Sequence, residues 1–402
     1  MEEGQRSLLA TSLAHFINDG LTGIIPLMYP VYITVYGISP TTVLILAGLQ
    51  SVFSIVISPL IGKKSDTSGK FAQLMTIGLI IFAVGAAGYA TSGLVVQGLA
   101  LVVFLLPFTV LIAVGSSFYH PLGATVLREK WKSEGLGRAM GINGSFGSVG
   151  RVVLPFSATL VLASFALPSL SVFAGLSLLG SLAIFFMLRR VRFSRYVSAE
   201  SGRRRFWRSL LPDWRLFRRF LPLTVLSFSR GFFTVGITPA IPLYLLLVDH
   251  FSEFQAGIAY SIMFGAGIIS QLLFGYLQDR LGKRIALGIS NLGAVIALLV
   301  FVLSQSPLAV EVSLIPFGLF GYSAFPLLLG LVAELTSPGE MTSASSIVWG
   351  MGNTTGQAIA PLLMSLLALP ALFGSLTAGM FAAVFVGILS VVLVPFTRGK
   401  IR

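Results

Sequence analysis

Charged residues and cysteine are what this sequence of 402 residues lacks most. Asp, Glu, Lys and Arg make up only 10% of it, against about 25% in soluble domains, whereas 55% of the residues are hydrophobic. Since a soluble fold of this length could not bury so much apolar surface, most of the chain is predicted to lie in lipid. The lack of cysteine excludes disulfides and cysteine-ligated metals.

Histidine is scarce as well, and this limits the cofactors and partners to expect. Three histidines are too few for an obvious metal centre, so neither a metal nor another cofactor is expected. The net charge of +13 does not indicate nucleic acid, because the basic residues lie in gaps between apolar segments rather than on one soluble face. No cleavable signal peptide is expected, because the first apolar segment is long and contains His15 and Asp19.

Long apolar segments fill the rest of the chain. A transmembrane helix needs about 20 mainly apolar residues. Twelve segments meet this requirement: 8–35, 41–61, 71–91, 96–127, 137–163, 168–189, 220–248, 254–277, 284–304, 308–333, 342–368 and 371–396. The sequence therefore predicts an all-α membrane protein with twelve transmembrane helices.

Lys and Arg are confined to alternate loops, and this predicts the orientation. Of the 27 basic residues, only Arg151 and Arg230 fall deep inside predicted spans. The others lie at the two termini and in the even-numbered gaps, whereas the odd-numbered gaps contain Asp249, Glu253 and Glu311 and no Lys or Arg. Because basic loops stay in the cytoplasm, both termini of this multi-pass protein are predicted to be cytoplasmic, in the cell membrane.

Three short motifs recur in the same order and indicate an internal duplication. Their offsets are 213, 206 and 205 residues, for Gly62–Lys70 and Gly275–Lys283, Gly150–Pro155 and Gly356–Pro361, and Tyr119–Leu122 and Ala324–Leu327. We therefore predict two pseudo-symmetric six-helix bundles, residues 1–189 and 220–402, joined by a basic cytoplasmic linker, residues 190–219. Within the linker, apolar residues recur at helical spacing at Phe206, Trp207, Leu210, Leu211, Trp214 and Phe217. This pattern fits an amphipathic helix on the anionic leaflet, or a solvated basic linker.

The first of these motifs is a short loop with a defined physical logic. Its glycines permit a tight turn and close helix approach, its acid can accept hydrogen bonds at a helix N-terminus, and its basic residues can pair with acids. It resembles the signature loop of the major facilitator superfamily, although Thr67 stands where an arginine is usual. The resemblance implies gating loops, formed by Gly62, Asp66, Gly69 and Lys70 and by Gly275, Asp279, Arg280, Gly282 and Lys283.

Spans 1 and 4 carry a more specific resemblance. Two stretches carry it: His15-x-x-Asn18-Asp19 followed by Tyr29-Pro30, and Gly115-Ser-Ser-Phe-Tyr119-His120-Pro121. Both are similar to motifs of the fosmidomycin resistance protein family. Glu334 resembles the cytoplasmic acid in the second half of that family's proteins. The chain departs from that family at Leu122, Arg151 and Arg230. The family's members are proton-driven exporters of small drugs, so the resemblance implies efflux and leaves the substrate open.

Ionisable groups inside the predicted spans are the candidate functional residues. At about 1.5 Å per residue, Asp19, Arg151 and Arg230 lie near the bilayer midplane and His15 and His120 somewhat shallower. Such groups must face one another or a water-filled cavity. The superfamily resemblance implies that spans 1, 4, 7 and 10 line a cavity, which would set Asp19 and His120 across from Arg230. Structural alternatives remain open: a static ion pair for Asp19, and packing roles for both histidines.

We therefore predict proton coupling by Asp19, His15 and His120, and substrate binding by Asn18, Tyr119, Arg151 and Arg230. Two six-helix halves suit alternating access. Proton-coupled efflux of a small drug-like molecule or metabolite ranks first, and uptake or exchange of a small organic anion second. No enzyme is expected, because the predicted spans bring no paired carboxylates or Ser/His/Asp constellation to a common depth. The expected partners are a small-molecule substrate, protons and the lipid bilayer, with the protein acting as a monomer.

Overall fold

Helices account for nearly all of the residues that the structure describes, and no strand occurs among them. The structure is a computed structural model and describes residues 2–131, 133–191, 193, 214–335, 344 and 346–397. The prediction of an all-α protein is confirmed. The chain forms two compact units, one of Met1–Ser39 and Leu49–Gly202, the other of Pro40–Gly48 and Arg203–Arg402.

The described residues up to 191 form seven α-helices whose ends follow from local sequence. The first helix begins behind Glu2, whose side chain forms a capping box with Gln5. The second and third helices meet at Gly69, whose φ of +63° lies in the left-handed region that favours glycine. In chain order the helices are α1 (Glu3–Thr34), α2 (Pro40–Ser68), α3 (Phe71–Thr91), α4 (Leu99–Ser116), α5 (Tyr119–Lys130), α6 (Ser133–Ser164) and α7 (Ser171–Leu188).

The described residues from 214 onward form eight further α-helices. A π-helical turn, Phe232–Gly236, follows the first of them, and another, Ser346–Asn353, precedes the seventh. The helices are α8 (Trp214–Gly231), α9 (Ile241–Leu247), α10 (Glu253–Leu281), α11 (Lys283–Leu303), α12 (Pro307–Gly321), α13 (Ala324–Leu335), α14 (Thr354–Leu367) and α15 (Leu376–Val392). The linker residues Phe206, Trp207, Leu210 and Leu211 lie outside the described residues, whereas Trp214 opens α8 and stacks on Phe217.

Within the described residues, nine helical segments are long and apolar enough to cross a membrane. Two shorter apolar helices, α12 and α15, fall in the predicted spans 308–333 and 371–396. Large apolar side chains such as Leu272 and Phe385 are exposed on these helices. Apolar surface of this kind is what lipid tails cover in a membrane protein.

Two predicted spans, 96–127 and 308–333, are each interrupted, and the interruptions occupy equivalent positions. The first separates α4, ending at Ser116, from α5, starting at Tyr119; the second separates α12, ending at Gly321, from α13, starting at Ala324. Both pairs of positions differ by 205 residues, the offset of the sequence motif found there. At the first interruption the Ser117 hydroxyl donates to the carbonyl of Ala113 at 2.6 Å, a bond that competes with the regular helical pattern.

Glycines allow the first helix of each half to pack closely against the fifth predicted span of the same half, which is 137–163 in the first half and 342–368 in the second. A Cβ on Gly150 of α6 would collide with the backbone oxygen of Phe16 on α1. A Cβ on Gly356 of α14 would collide in the same way with the backbone oxygen of Phe228 on α8. Glycine therefore allows backbone-to-backbone contact at both places, as small residues do in membrane helix pairs.

Candidate functional site

Asp19, on α1, is buried at the centre of a polar cluster in the first unit, with 5% of its side chain exposed. Nη1 of Arg151 donates a hydrogen bond to Oδ2 at 2.7 Å, and Nε2 of His15 lies 3.1 Å from the same oxygen. Nδ2 of Asn18 donates to Oδ1 at 3.1 Å, and Nε2 of His120 lies 3.6 Å from Oδ1. We call His15, Asp19, His120 and Arg151 the Asp19 cluster.

Three helices bring the cluster together. His15 and Asp19 are four residues apart on α1 and therefore share one face of that helix. On α6, Gly147 leaves room for the imidazole of His15, because a Cβ there would collide with the ring. Arg151 lies one turn further along α6, and His120 is the second residue of α5, directly after the interruption.

The ring of His15 is fixed on its other side by residues from α5 and α6. Its Nδ1 lies 2.9 Å from the backbone oxygen of Asn143, and its face stacks on Tyr119 at 4.5 Å between ring centroids. The hydroxyl of Tyr119 donates to Oδ1 of Asn143 at 2.7 Å. Sequence reasoning missed Asn143, although it lies four residues before Gly147 and eight before Arg151, on the same face of α6.

The predicted substrate-binding residues of this unit differ in how far the protein buries them. Asn18 and Tyr119 are buried and contact Asp19 and Asn143, respectively. Arg151 has 30% of its side chain exposed and donates through Nη2 to Ser148 at 3.2 Å. His120, with 64% exposed, is the most accessible member of the cluster. Arg151 and His120 are thus the members of the cluster that the protein leaves least covered.

The cluster also has the outline of a metal site, since His15, Asp19 and His120 each offer a ligand atom and these atoms lie within 4.8 Å of one another. However, Oδ2 of Asp19 already accepts a hydrogen bond from the guanidinium of Arg151. A second cation beside that guanidinium would be repelled. The donor set therefore fits proton binding better than metal binding.

Arg230 has a different environment, which lies within the second unit. The side chain is completely buried. Its Nη1 donates to Oδ1 of Asn291, and its Nη2 lies 2.8 to 3.1 Å from four further oxygens. These four are the hydroxyls of Ser290 and Ser323 and the carbonyls of Phe320 and Gly321. The acceptors that the described residues place around Arg230 are thus neutral oxygens, not carboxylates.

The position of Arg230 explains how its charge is accommodated. Phe320 and Gly321 are the last residues of α12, so the guanidinium binds carbonyls at the negative end of the helix dipole. The placement of Arg230 opposite Asp19 and His120 stays a prediction; the guanidinium of Arg151 contacts Asp19 within the first unit.

The predicted gating residues are placed as follows. Gly62 and Asp66 lie within α2, in a stretch whose side-chain surroundings the structure does not describe, and Gly69 makes the turn before Lys70 and α3. In the second half, Gly282 makes the corresponding turn, with φ at +86°. Gly275, Asp279 and Arg280 lie within the last turns of α10.

Among the described residues, no helix closely approaches Gly275. A Cβ on Gly275 would meet no described atom within 4 Å. Lys283, by contrast, forms a 2.9 Å ion pair with Glu334 of α13. The aliphatic stem of Lys283 passes over Gly330, one turn before Glu334, at 3.0 to 3.1 Å from where a Cβ would be. The second copy of the motif therefore joins α11 to α13.

Comparison with known proteins agrees with this architecture. The family model of the Major Facilitator Superfamily matches residues 11–361, and again residues 223–401. The chain is 26% identical over 358 residues to the uncharacterized MFS-type transporter YfnC of Bacillus subtilis (strain 168), a match that covers 86% of this chain and 82% of that protein.

Solved structures with the same fold include two transporters at low identity. One is a bacterial homologue of the human lysosomal transporter Spinster, in an inward-facing, unoccupied conformation, with a TM-score of 0.76 at 16% identity over 99% of this chain and 97% of that chain. The other is a D-xylose-proton symporter, with a TM-score of 0.76 at 14% identity over 99% and 97%. At these identities the likeness shows the fold.

Proposed function

We propose that this chain, which belongs to the major facilitator superfamily, is a secondary transporter that couples proton movement to the movement of a small molecule. The observation that carries the proposal is the Asp19 cluster: a buried carboxylate in contact with one guanidinium and two imidazoles. A buried acid surrounded by histidines inside a membrane-spanning helix is costly to maintain and is typical of proton relays. The family and the transporter-like fold identify a transporter rather than an enzyme.

Access to the cluster supports a coupling role. Asp19 and His15 are covered by protein, whereas His120 and Arg151 are partly uncovered. We propose that a proton reaches the covered pair through His120 and that the substrate contacts Arg151. Coupling requires that the two sites share an interaction, and the 2.7 Å ion pair between Arg151 and Asp19 supplies it.

The direction that we propose first is export in exchange for protons. It rests on the resemblance of His15-x-x-Asn18-Asp19 and the Tyr119-His120 motif to the proton-driven drug exporters described above. Both termini are proposed to lie in the cytoplasm of a cell-membrane protein, on the strength of the alternating basic loops. Antiport requires that the substrate bind best after the cluster has released its proton.

The charge balance favours a second candidate, the joint movement of a proton and a small organic anion. The charges of Asp19 and Arg151 cancel, so adding a proton to the cluster gives it a positive charge. An anion that contacts the exposed part of Arg151 would then bind best to the protonated cluster. This is the linkage of a symporter.

Substrate-driven proton movement in proteoliposomes distinguishes the two candidates. We would load vesicles with a pH-sensitive dye and add a panel of small anionic, cationic and neutral compounds without an imposed gradient. Antiport predicts that the lumen loses protons as a substrate enters it, and symport predicts that the lumen gains them. Substrate flux with no proton movement, at every pH tried, would be evidence against proton coupling itself.

A further inference from the structure

His15 and Asp19 together raise the question of which atom holds the proton. We infer that Nε2 of His15 carries the exchangeable proton of the Asp19 cluster, while Asp19 remains an ionised carboxylate in both states. The inference rests on the proposed proton coupling and identifies the carrier within it. Asn143, Tyr119 and Arg151 are then positioning residues that make His15 the carrier.

Nδ1 of His15 faces a backbone carbonyl. This nitrogen lies 2.9 Å from the backbone oxygen of Asn143, which can only accept a hydrogen bond. Nδ1 must therefore carry a hydrogen. Stacking on Tyr119 and the space at Gly147 hold the ring in that orientation. In neutral His15, the nitrogen without a hydrogen is therefore Nε2, as is usual when a carbonyl fixes the other nitrogen.

Nε2 of His15 is in close contact with Oδ2 of Asp19. Their separation of 3.1 Å is a hydrogen-bond distance, and such a bond requires one proton between the two atoms. With none there, two lone pairs would face each other at close range. A contact at this distance is therefore the one expected of the proton-loaded cluster.

The proton between these two atoms belongs to the nitrogen and not to the carboxylate. Oδ2 of Asp19 also accepts from Arg151 at 2.7 Å, and Oδ1 accepts from Asn18 at 3.1 Å. Both donors bind the ionised form of the carboxylate, and a guanidinium this close opposes its protonation. Loading the cluster then means that a proton from water binds the lone pair of Nε2, with no other bond broken.

The other titratable groups around the pair are few. The elements packed on α1 within its unit are α3, α4, α5, α6 and α7. Facing His15 and Asp19, α5 contributes Tyr119 and His120, and α6 contributes Arg151. By sequence, α4 and α7 contain no titratable residue, and that of α3, Tyr89, accepts a hydrogen bond from Tyr32 through its carbonyl.

Loss of the proton from Nε2 of His15 changes its contact with Asp19. When Nε2 loses its proton, the contact with Asp19 changes from attractive to repulsive, whereas the Arg151–Asp19 pair is unaffected. The ring of His15 remains fixed through Nδ1 to α6. Proton release therefore changes the interaction between α1 and α6, two helices whose backbones are in contact at Gly150.

The test uses the proton itself as the probe, so no substrate is required. We would label the histidines of the full-length protein with nitrogen-15, place it in lipid nanodiscs, and record nitrogen spectra from about pH 5 to about pH 8. The His15→Gln and His120→Gln variants assign the three histidine signals. Infrared difference spectra of wild type and Asp19→Asn report any protonated carboxyl group at position 19.

The inference predicts that Nδ1 of His15 is protonated throughout, that Nε2 gains its proton on acidification, and that no carboxylic-acid band is lost in Asp19→Asn. An acid band that disappears in Asp19→Asn, or a neutral His15 protonated on Nε2, would overturn the inference and leave proton coupling standing. If neither His15 nor Asp19 changes protonation over this range, both the inference and the proposed coupling site are wrong.

Discussion

The guanidinium of Arg151 donates to the carboxylate of Asp19 with Nη1 2.7 Å from Oδ2, which makes it the direct counter-ion of the buried acid. Arg230, the other intramembrane arginine, lies in an environment of neutral oxygens at the end of α12. The two arginines therefore have different tasks. Arg151 is partly exposed and shares its charge with the proposed coupling site, whereas Arg230 is fully buried and connects the helices of its own unit.

Replacing each arginine by lysine separates these tasks. Arg230→Lys retains the charge but loses the planar fork that reaches five oxygens, so buried acceptors such as Oδ1 of Asn291 and the carbonyl of Gly321 lose a donor. Each such acceptor costs about 1–3 kcal/mol, and we expect a clear fall in the temperature of unfolding in detergent. Arg151→Lys, at a partly exposed site, should unfold near the wild-type temperature and change transport instead. Equal unfolding temperatures for the two variants would contradict this division.

Gly147 offers a test of whether the orientation of His15 matters. In Gly147→Ala the added Cβ collides with the imidazole, so His15 must turn away from Asp19. We expect loss of the pH dependence of transport, measured as substrate flux at several values of an imposed pH gradient. Gly144→Ala is the matched control, because it lies about one turn earlier on α6 and its added Cβ meets no described atom within 4 Å. Loss of pH dependence in both variants would point to a general effect on α6.

Asp249 gives a prediction outside the membrane-spanning segments. It follows α9, and burial raises the pKa of its carboxyl to about 6, partly offset by the neighbouring His250. Its Oδ2 has no hydrogen-bond partner among the described residues. Because the folded state holds this proton more tightly than the unfolded state, stability contributed here is present at low pH and is lost as the pH rises through about 6.

Asp249→Asn should remove that loss. We expect the variant to unfold at the same temperature as wild type near about pH 4, and at a higher temperature near about pH 8, where wild-type Asp249 is ionised. Thermal unfolding of both proteins at the two pH values checks this. A constant difference across the range would show that the effect of the substitution is unrelated to ionisation.

The sequence predicted the helical fold because its signals are strong and local. Long apolar segments predict membrane helices regardless of what they pack against, and Gly69 and Gly282 mark the turns that the repeated motif shares. His15 and Asp19 could be paired from their spacing alone, since residues four apart share a helical face.

Other parts of the site depend on contacts between distant segments, which spacing does not reveal. Asn143 uses its backbone carbonyl to fix His15, and a carbonyl is present at every position of the chain. Two of the acceptors of Arg230, the carbonyls of Phe320 and Gly321, are available because α12 ends at Gly321. Hydropathy does not reveal this end, because it reads 308–333 as one continuous span. The opposition of Arg230 to Asp19 and His120 was predicted from the family's arrangement of helices and not from any local signal, and it stays a prediction.

The most direct test of the account is the proton movement that accompanies substrate flux in proteoliposomes containing wild type or Asp19→Asn. Asparagine keeps the size of the side chain and removes its charge, so His15 loses the anion that stabilises its added proton. We predict that Asp19→Asn folds and reconstitutes like wild type but moves no protons with its substrate. Full substrate-coupled proton movement in Asp19→Asn would contradict the central role of the Asp19 cluster.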